Sequence, residues 1–202
     1  EPVITYWGWP LVQASWTWPG REDETFQIDV YADGDEVELI LNDRSLGRQP
    51  CGAEERYIAS FDSVTYRPGL LQAIVYKQGD VVAQSQLETT GAPSALRLSP
   101  DRAEIEAKPG NLSFVTVEVV DAKGRLCPYA KNTVFFTAKG AGALAAVGNG
   151  NPVSTERYRG NQRSAFQGRC LAVVKADSEP GEIVLRAHAD GLDPAEVTIT
   201  VG

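Results

Sequence analysis

The chain has 202 residues, 43% hydrophobic and 23% charged, and a formal net charge of -8. That is an ordinary globular composition, long enough for one large domain or two of about 100 residues, and no apolar run approaches the roughly 20 residues that span a bilayer. The charge is uneven, with 15 acidic and 6 basic side chains in residues 1–91 against 12 and 13 in residues 92–202; an acidic half without a concentrated basic face argues against nucleic acid as a partner.

The chain opens Glu1-Pro2, with neither a Met nor a basic segment leading an apolar one. We read it as a piece of a longer polypeptide. All four tryptophans come next, as Trp7-Gly8-Trp9 and Trp16-Thr17-Trp18. In an extended strand, residues two apart share a face about 7 Å apart. Each pair would then present two indoles side by side, as a sugar-stacking platform or as a docking edge.

Beyond the tryptophans the pattern has period two. Phe26, Ile28 and Val30 alternate with polar residues, as do Val37, Leu39 and Leu41. These are strands with one buried face. Further strands are expected at Arg56–Phe61, Leu70–Lys77 and Val81–Glu88, the last two joined by a Gln78-Gly79-Asp80 turn. The small, uncharged stretch Thr89–Pro93 marks a domain boundary, dividing the chain into 1–91 and 92–202. In the second part strands are expected at Ala95–Ser99, Ala103–Ala107, Leu112–Val120, Thr133–Ala138, Ala143–Val147, Ser164–Ala176, Glu182–Ala189 and Glu196–Val201. Their spacing suits an immunoglobulin-like sandwich without the antibody Cys-Trp-Cys arrangement. The fold class is all-β, with two consecutive immunoglobulin-like β-sandwich domains.

Residues with chemical potential are few. Cys51, Cys127 and Cys170 lack the spacing of a zinc or redox motif and read as packed free thiols, with a Cys127–Cys170 bridge as the alternative. His188, the only histidine, falls on the outer face of an alternating strand. Glu36/Glu38 and Glu54/Glu55 read as solvated positions, not as a hydrolytic carboxylate pair. Asp33-Gly34-Asp35 lacks the further oxygens of a calcium loop and reads as a hairpin turn. Gly148-Asn149-Gly150-Asn151-Pro152 is followed by no helix and no Lys-Ser/Thr; it reads as a sharp inter-strand turn with positive φ at its glycines. Asn111-Leu112-Ser113 is a sequon, meaningful only in a eukaryotic secreted protein. No catalytic set, metal site or cofactor site emerges.

An ordered set of segments resembles the C-terminal region of glycoside hydrolase family 2 enzymes of the bacterial β-galactosidase type. Trp16–Gly20 is similar to a His-Trp-Asn-Trp-x-Gly segment that follows the catalytic barrel. Val37–Gly47 resembles a V-E-L-F-L-N-G-K-S-L-G hairpin, continued by Tyr66-Arg67-Pro68-Gly69. Leu112–Asp121, Gly148–Pro152 and Phe166–Leu171 match the terminal β domain in order and spacing. Ser15 and Thr17 stand where the family often has His and Asn, and Asp43 replaces the hairpin glycine, which implies another turn type. The resemblance implies that the two catalytic glutamates belong to a barrel elsewhere in a parent chain, with no catalytic residue here. It implies that barrel as partner, with carbohydrate or a second copy as further partners, and neither nucleic acid nor membrane. It also implies a periplasmic or extracellular bacterial location. The tryptophans Trp7, Trp9, Trp16 and Trp18 then become junction-packing residues, with sugar stacking as the other reading and Trp16 and Trp18 as its foremost ligand contacts. A stand-alone carbohydrate-binding module and a pair of cell-surface adhesion or spacer domains are the alternatives.

Overall fold

The computed structural model describes residues 12–202, which form two compact units, one running to Thr89 and one from Thr90 to Gly202. Among the described residues every regular element is a strand. Trp7 and Trp9 lie outside them.

In the first unit, β1 (Thr25–Tyr31) pairs with β4 (Ile58–Thr65) as a two-stranded sheet. A four-stranded sheet has the order β3-β2-β5-β6, built from β2 (Glu36–Leu41), β3 (Arg44–Pro50), β5 (Leu70–Lys77) and β6 (Asp80–Glu88). All these pairings are antiparallel. The alternation that marks the strands also builds the core. Val37, Leu39 and Leu41 of β2 and Leu71, Ala73 and Val75 of β5 face Ala59, Phe61 and Val64 of β4. β4 keeps Val64 inside because Ser63 takes a positive φ and the register shifts opposite Phe26/Ile28. That is a β-bulge, which re-aims the side chain that follows it.

The β2–β3 hairpin corrects one expectation. Asn42 and Asp43 adopt φ of 50° and 62°, the double positive φ of the type I′ turn that Asn-Gly prefers. Asp43 therefore does not impose another turn type; Asn and Asp tolerate the left-handed region better than other non-glycine residues. Gln78 and Gly79, at 54° and 88°, form the expected tight turn between β5 and β6.

The second unit is a sandwich of nine strands. They are β7 (Pro93–Pro100), β8 (Glu104–Ile105), β9 (Leu112–Asp121), β10 (Thr133–Gly140), β11 (Gly142–Gly148), β12 (Gln162–Ser164), β13 (Arg169–Ala176), β14 (Gly181–His188) and β15 (Ala195–Val201). One sheet runs β12-β10-β14-β15-β8, the other β11-β13-β9-β7. Between them lie Val115, Val117 and Val119 of β9, Cys170, Ala172 and Val174 of β13, and Ile183, Leu185 and Ala187 of β14. Sealing such side chains from water contributes about 1.5–3 kcal/mol for each Val, Leu or Ile.

The chain crosses from one sheet to the other at Gly140-Ala141-Gly142. Gly140 has φ of 106°, and a Cβ there would collide with the Glu182 carbonyl, so only glycine fits. The expected single strand Ser164–Ala176 is in fact two, β12 and β13, in opposite sheets. Gln167 and Gly168, at φ of 51° and 76°, turn the chain between them.

Candidate functional site

In the first unit the two described tryptophans sit at one end of the core. Trp16 is 1% exposed. Its ring meets Tyr66 edge-on at 5.1 Å and Phe26 edge-on at 6.4 Å, and its Nε1–H donates to the Arg67 carbonyl at 3.0 Å. The Trp16 carbonyl accepts from the Thr89 hydroxyl at 2.5 Å. Trp18 is half-buried and stacks on Phe26 at 5.1 Å, with the planes 28° apart. Its indole N–H donates to the Ser15 carbonyl, and its backbone N–H donates to the Tyr66 hydroxyl.

The expected side-by-side indole pair is therefore not formed. Period-two geometry belongs to strands, and this segment is not one: its N–H groups go to side chains, Thr17 to the Ser15 hydroxyl and Trp18 to the Tyr66 hydroxyl, and the Trp18 indole folds back on the Ser15 carbonyl. Trp16 becomes a core residue with no face left for a sugar. Trp18 lines a cleft of about 470 Å³ with Phe26, Ile28 and Tyr31 on one side and Ser85 and Gln86 of β6 on the other. Among the described residues Asp29 is the one carboxylate that lines it, and it accepts hydrogen bonds from Gln27 and Ser60.

In the second unit a shallower groove of about 400 Å³ lies against β11 and β13, lined by Ala146, Gly148, Gly150, Tyr158, Arg169 and Leu171 among others. Gly148-Asn149-Gly150 is not the expected sharp turn, since neither glycine takes a positive φ. It opens an excursion over residues 149–161 that a buried arginine holds from below. Arg163 is 0% exposed; it donates to the Glu156 carbonyl at 3.0 Å and to Asn149 Oδ1 at 2.9 Å, while its Nε has no hydrogen-bond partner. Asn149 Oδ1 also accepts the Asn151 N–H, and this side-chain clamp replaces the turn that glycine φ would have made. Burial pushes the Glu156 carboxyl up, but hydrogen bonds from Ser164 and Ser154 and the Arg163 charge hold it below its ordinary range. Sequence reading missed this network; its only trace is the Asn and Glu preceding an arginine within a polar stretch.

His188 is exposed and stacks on Phe135 across the β10–β14 pair at 5.2 Å. Cys51, Cys127 and Cys170 are all buried free thiols, so the bridge alternative falls. Burial pushes the Cys170 thiol up to about 12, the opposite of a nucleophile's requirement. Asp33 pairs with Lys77, and Asp35 accepts the Gln78 N–H, which ties Asp33-Gly34-Asp35 to the β5–β6 turn. Among the described residues no group of three or more His, Cys, Asp or Glu stands where it could hold a metal ion.

Residues 96–198 match the model of glycoside hydrolase family 2 C-terminal domain 5. The chain belongs to glycoside hydrolase family 2. Ahead of that match, residues 23–83 match the model of a domain of unknown function, DUF4982. The chain is 42% identical over 186 residues to β-galactosidase BoGH2A of Bacteroides ovatus, covering 92% of this chain and 21% of that protein. It is 34% identical to a putative β-glucuronidase of Formosa agariphila, covering 83% and 16%. It therefore spans about a fifth of the length of these relatives. Its fold matches a family 2 member from Bacteroides cellulosilyticus with a TM-score of 0.93 at 36% identity, over 98% of this chain and 27% of that one. A β-glycosidase from Bacteroides vulgatus matches with a TM-score of 0.86 at 30% identity, over 94% and 24%. The family 2 departures are now placed. Thr17 is buried and donates its N–H to the Ser15 hydroxyl at 3.1 Å, so both residues brace the tryptophan turn.

Proposed function

We propose that this chain is a non-catalytic C-terminal accessory region of a β-galactosidase-like glycosidase. On this reading it packs beside a catalytic (β/α)8 barrel, or builds a subunit contact, and takes no part in bond cleavage. One observation carries the reading: the chain is matched almost end to end by only a fifth to a quarter of the length of family 2 enzymes. The chemistry agrees with it. A glycosidase of this kind needs two carboxyl groups flanking the scissile bond, about 5–5.5 Å apart when configuration is retained. Among the described residues Asp29 is the one carboxylate lining either groove, and it is already hydrogen-bonded.

The relatives' names favour a β-galactoside as the parent's substrate, with a β-glucuronide as the competing class. A periplasmic or extracellular bacterial location goes with the same reading. The test is the reading frame that carries this chain. It should encode a barrel with two glutamates ahead of residue 1, and a frame without one would overturn the proposal. A second reading, a stand-alone carbohydrate-binding module, draws on the cleft beside Trp18 and Tyr31. It predicts a tryptophan fluorescence change on adding neutral galactan.

A further inference from the structure

The excursion over residues 149–161 adds little to the core of the second unit, yet its support is costly. Val153 is 82% exposed and Tyr158 is 65% exposed. Beneath them the fold buries a whole guanidinium, whose Nε makes no hydrogen bond and faces Glu156 Oε2 only at 3.6 Å, and burying a charge costs free energy even when it is paired. The Arg163 guanidinium carbon lies 5.0 Å from the centre of the Tyr158 ring, within cation–π range. The Tyr158 carbonyl accepts the Val147 N–H at 2.8 Å. An exposed aromatic ring is thus fixed from below and tied along its backbone, which removes the freedom a solvent-facing tyrosine ordinarily keeps.

The ring's surroundings have a definite chemistry. Its edge lies over Gly148, and the groove floor beside it is made of small or flat apolar positions, Ala146, Gly148 and Leu171. The volume, about 400 Å³, falls in the small-ligand range of about 300–1,000 Å³ and suits a sugar or two better than a protein partner. Aromatic faces on such a floor take the apolar face of a pyranose by burial and stacking. The stretch of chain that carries the ring is rich in arginine, in a chain whose net charge is -8. Arg157 and Arg159 flank Tyr158, both are exposed, and neither forms an ion pair among the described residues. Arg169 also lines the groove, donating its Nε to Glu118 while its side chain stays 55% exposed. From Asn149 to Arg169 there are four arginines and one acid, Glu156, and that acid is engaged by Ser164 and Arg163. Guanidinium groups recognise carboxylate and sulfate with paired N–H donors.

We propose that the β11–β13 groove beside Tyr158 and Arg169, with the exposed Arg157 and Arg159 next to Tyr158 in the chain, is a binding site for anionic saccharides, sugars bearing a uronate carboxylate or a sulfate. The ring stacks on the sugar and the arginines hold its anionic group. The site binds and does not cleave, and it stands whether or not the chain supports a catalytic barrel.

Isothermal titration of the 202-residue chain tests it with three probes: a uronate oligosaccharide, a sulfated galactan oligosaccharide and a neutral galactan oligosaccharide. Saturable binding is expected for the uronate or the sulfated probe, and whichever of the two binds names the anionic group. Neutral galactan should bind at least tenfold more weakly. Tyr158→Ala should weaken binding about tenfold, the loss of one stacking contact. Arg157→Ser with Arg159→Ser should weaken it at least as much and flatten its salt dependence. Arg157 and Arg159 are exposed and make no ion pair among the described residues, so their double substitution should leave thermal unfolding unchanged. Three results would each overturn the proposal: no anionic probe binding at millimolar concentration, equal binding of neutral galactan, or unchanged affinity in both variants. Binding of an acidic peptide in place of the saccharides would assign the surface to a protein and overturn it as well.

Discussion

Replacing Trp16 with alanine should destabilise the first unit and leave the second untouched. The ring is 1% exposed and packed against Tyr66 and Phe26. Removing a large buried aromatic of this kind costs about 3–5 kcal/mol, because the transfer energy is lost and a cavity remains. The Nε1–H bond to Arg67 adds about 1 kcal/mol. A unit of this size holds only about 5–15 kcal/mol of stability, and each kcal/mol shifts its midpoint by roughly 4–8 °C. The first transition should therefore fall by well over 10 °C. Trp18→Ala, which removes a half-buried stack on Phe26, should cost only about 1–2 kcal/mol. The assay is convenient because all four tryptophans lie within residues 7–18. Intrinsic fluorescence then reports the first unit alone, while calorimetry reports both. If Trp16→Ala cost less than about 1 kcal/mol, the core assignment would fail and the exposed, sugar-facing reading would return.

Other outcomes follow from the same packing. Burial pushes the Asp121 carboxyl up, but hydrogen bonds from the Arg125 side chain and the N–H groups of Gly91, Arg125 and Lys123 hold it well below the carboxylate range. A carboxyl depressed in the folded state stabilises above its unfolded value and loses that contribution as pH falls toward the folded one. Acid unfolding of the second unit, followed by circular dichroism, should therefore begin as pH drops through the ordinary aspartate range, and Asp121→Asn should flatten that dependence. All three cysteines are buried, so a thiol reagent should label none in the native chain and three in denaturant; prompt native labelling would contradict their packing. Gly140→Ala should cost at least about 2 kcal/mol, through a strained φ and a collision with the Glu182 carbonyl, measurable as a lowered denaturant midpoint for the second unit.

Where a strand buries one face, the sequence announces it. Val37, Leu39 and Leu41, and Ile183, Leu185 and Ala187, are spaced by two and are 8% exposed or less. β3 was harder to see, because every one of its seven residues is exposed and an edge strand with no buried face leaves no alternation to read. The break between β12 and β13 was also hidden. β12 carries no apolar residue that would mark it by alternation, and the left-handed pair Gln167-Gly168 that turns the chain into β13 shows only in its backbone angles. Arg56–Phe61 caught β4 early for a related reason: Arg56 and Tyr57 take positive φ in a tight turn before Ile58 begins the strand.

The tryptophans show the limit from the other side. Their spacing suggests a shared face, but Trp16 packs into the core on Tyr66 while Trp18 folds back on Ser15 and stacks on Phe26 at the lip of a cleft. The groove beside Tyr158 left almost no sequence signal, because it depends on Arg163, Asn149 and Glu156 meeting beneath a loop. Residues 149–163 of the chain look like an ordinary polar linker until those distances are known. The same holds for Asp121, whose clamp on Gly91 depends on the β7–β9 pairing that sets Pro93 opposite Asp121 and so joins chain segments 30 residues apart.

The most direct test of the central claim is hydrolysis by the purified 202-residue chain. Aryl β-galactoside and aryl β-glucuronide should both remain intact at the rate of buffer alone, across the pH range in which the chain stays folded. Turnover above that background that co-purifies with the folded chain, and is abolished by Asp29→Asn, would contradict a non-catalytic accessory role and place the chemistry in the cleft beside Trp18.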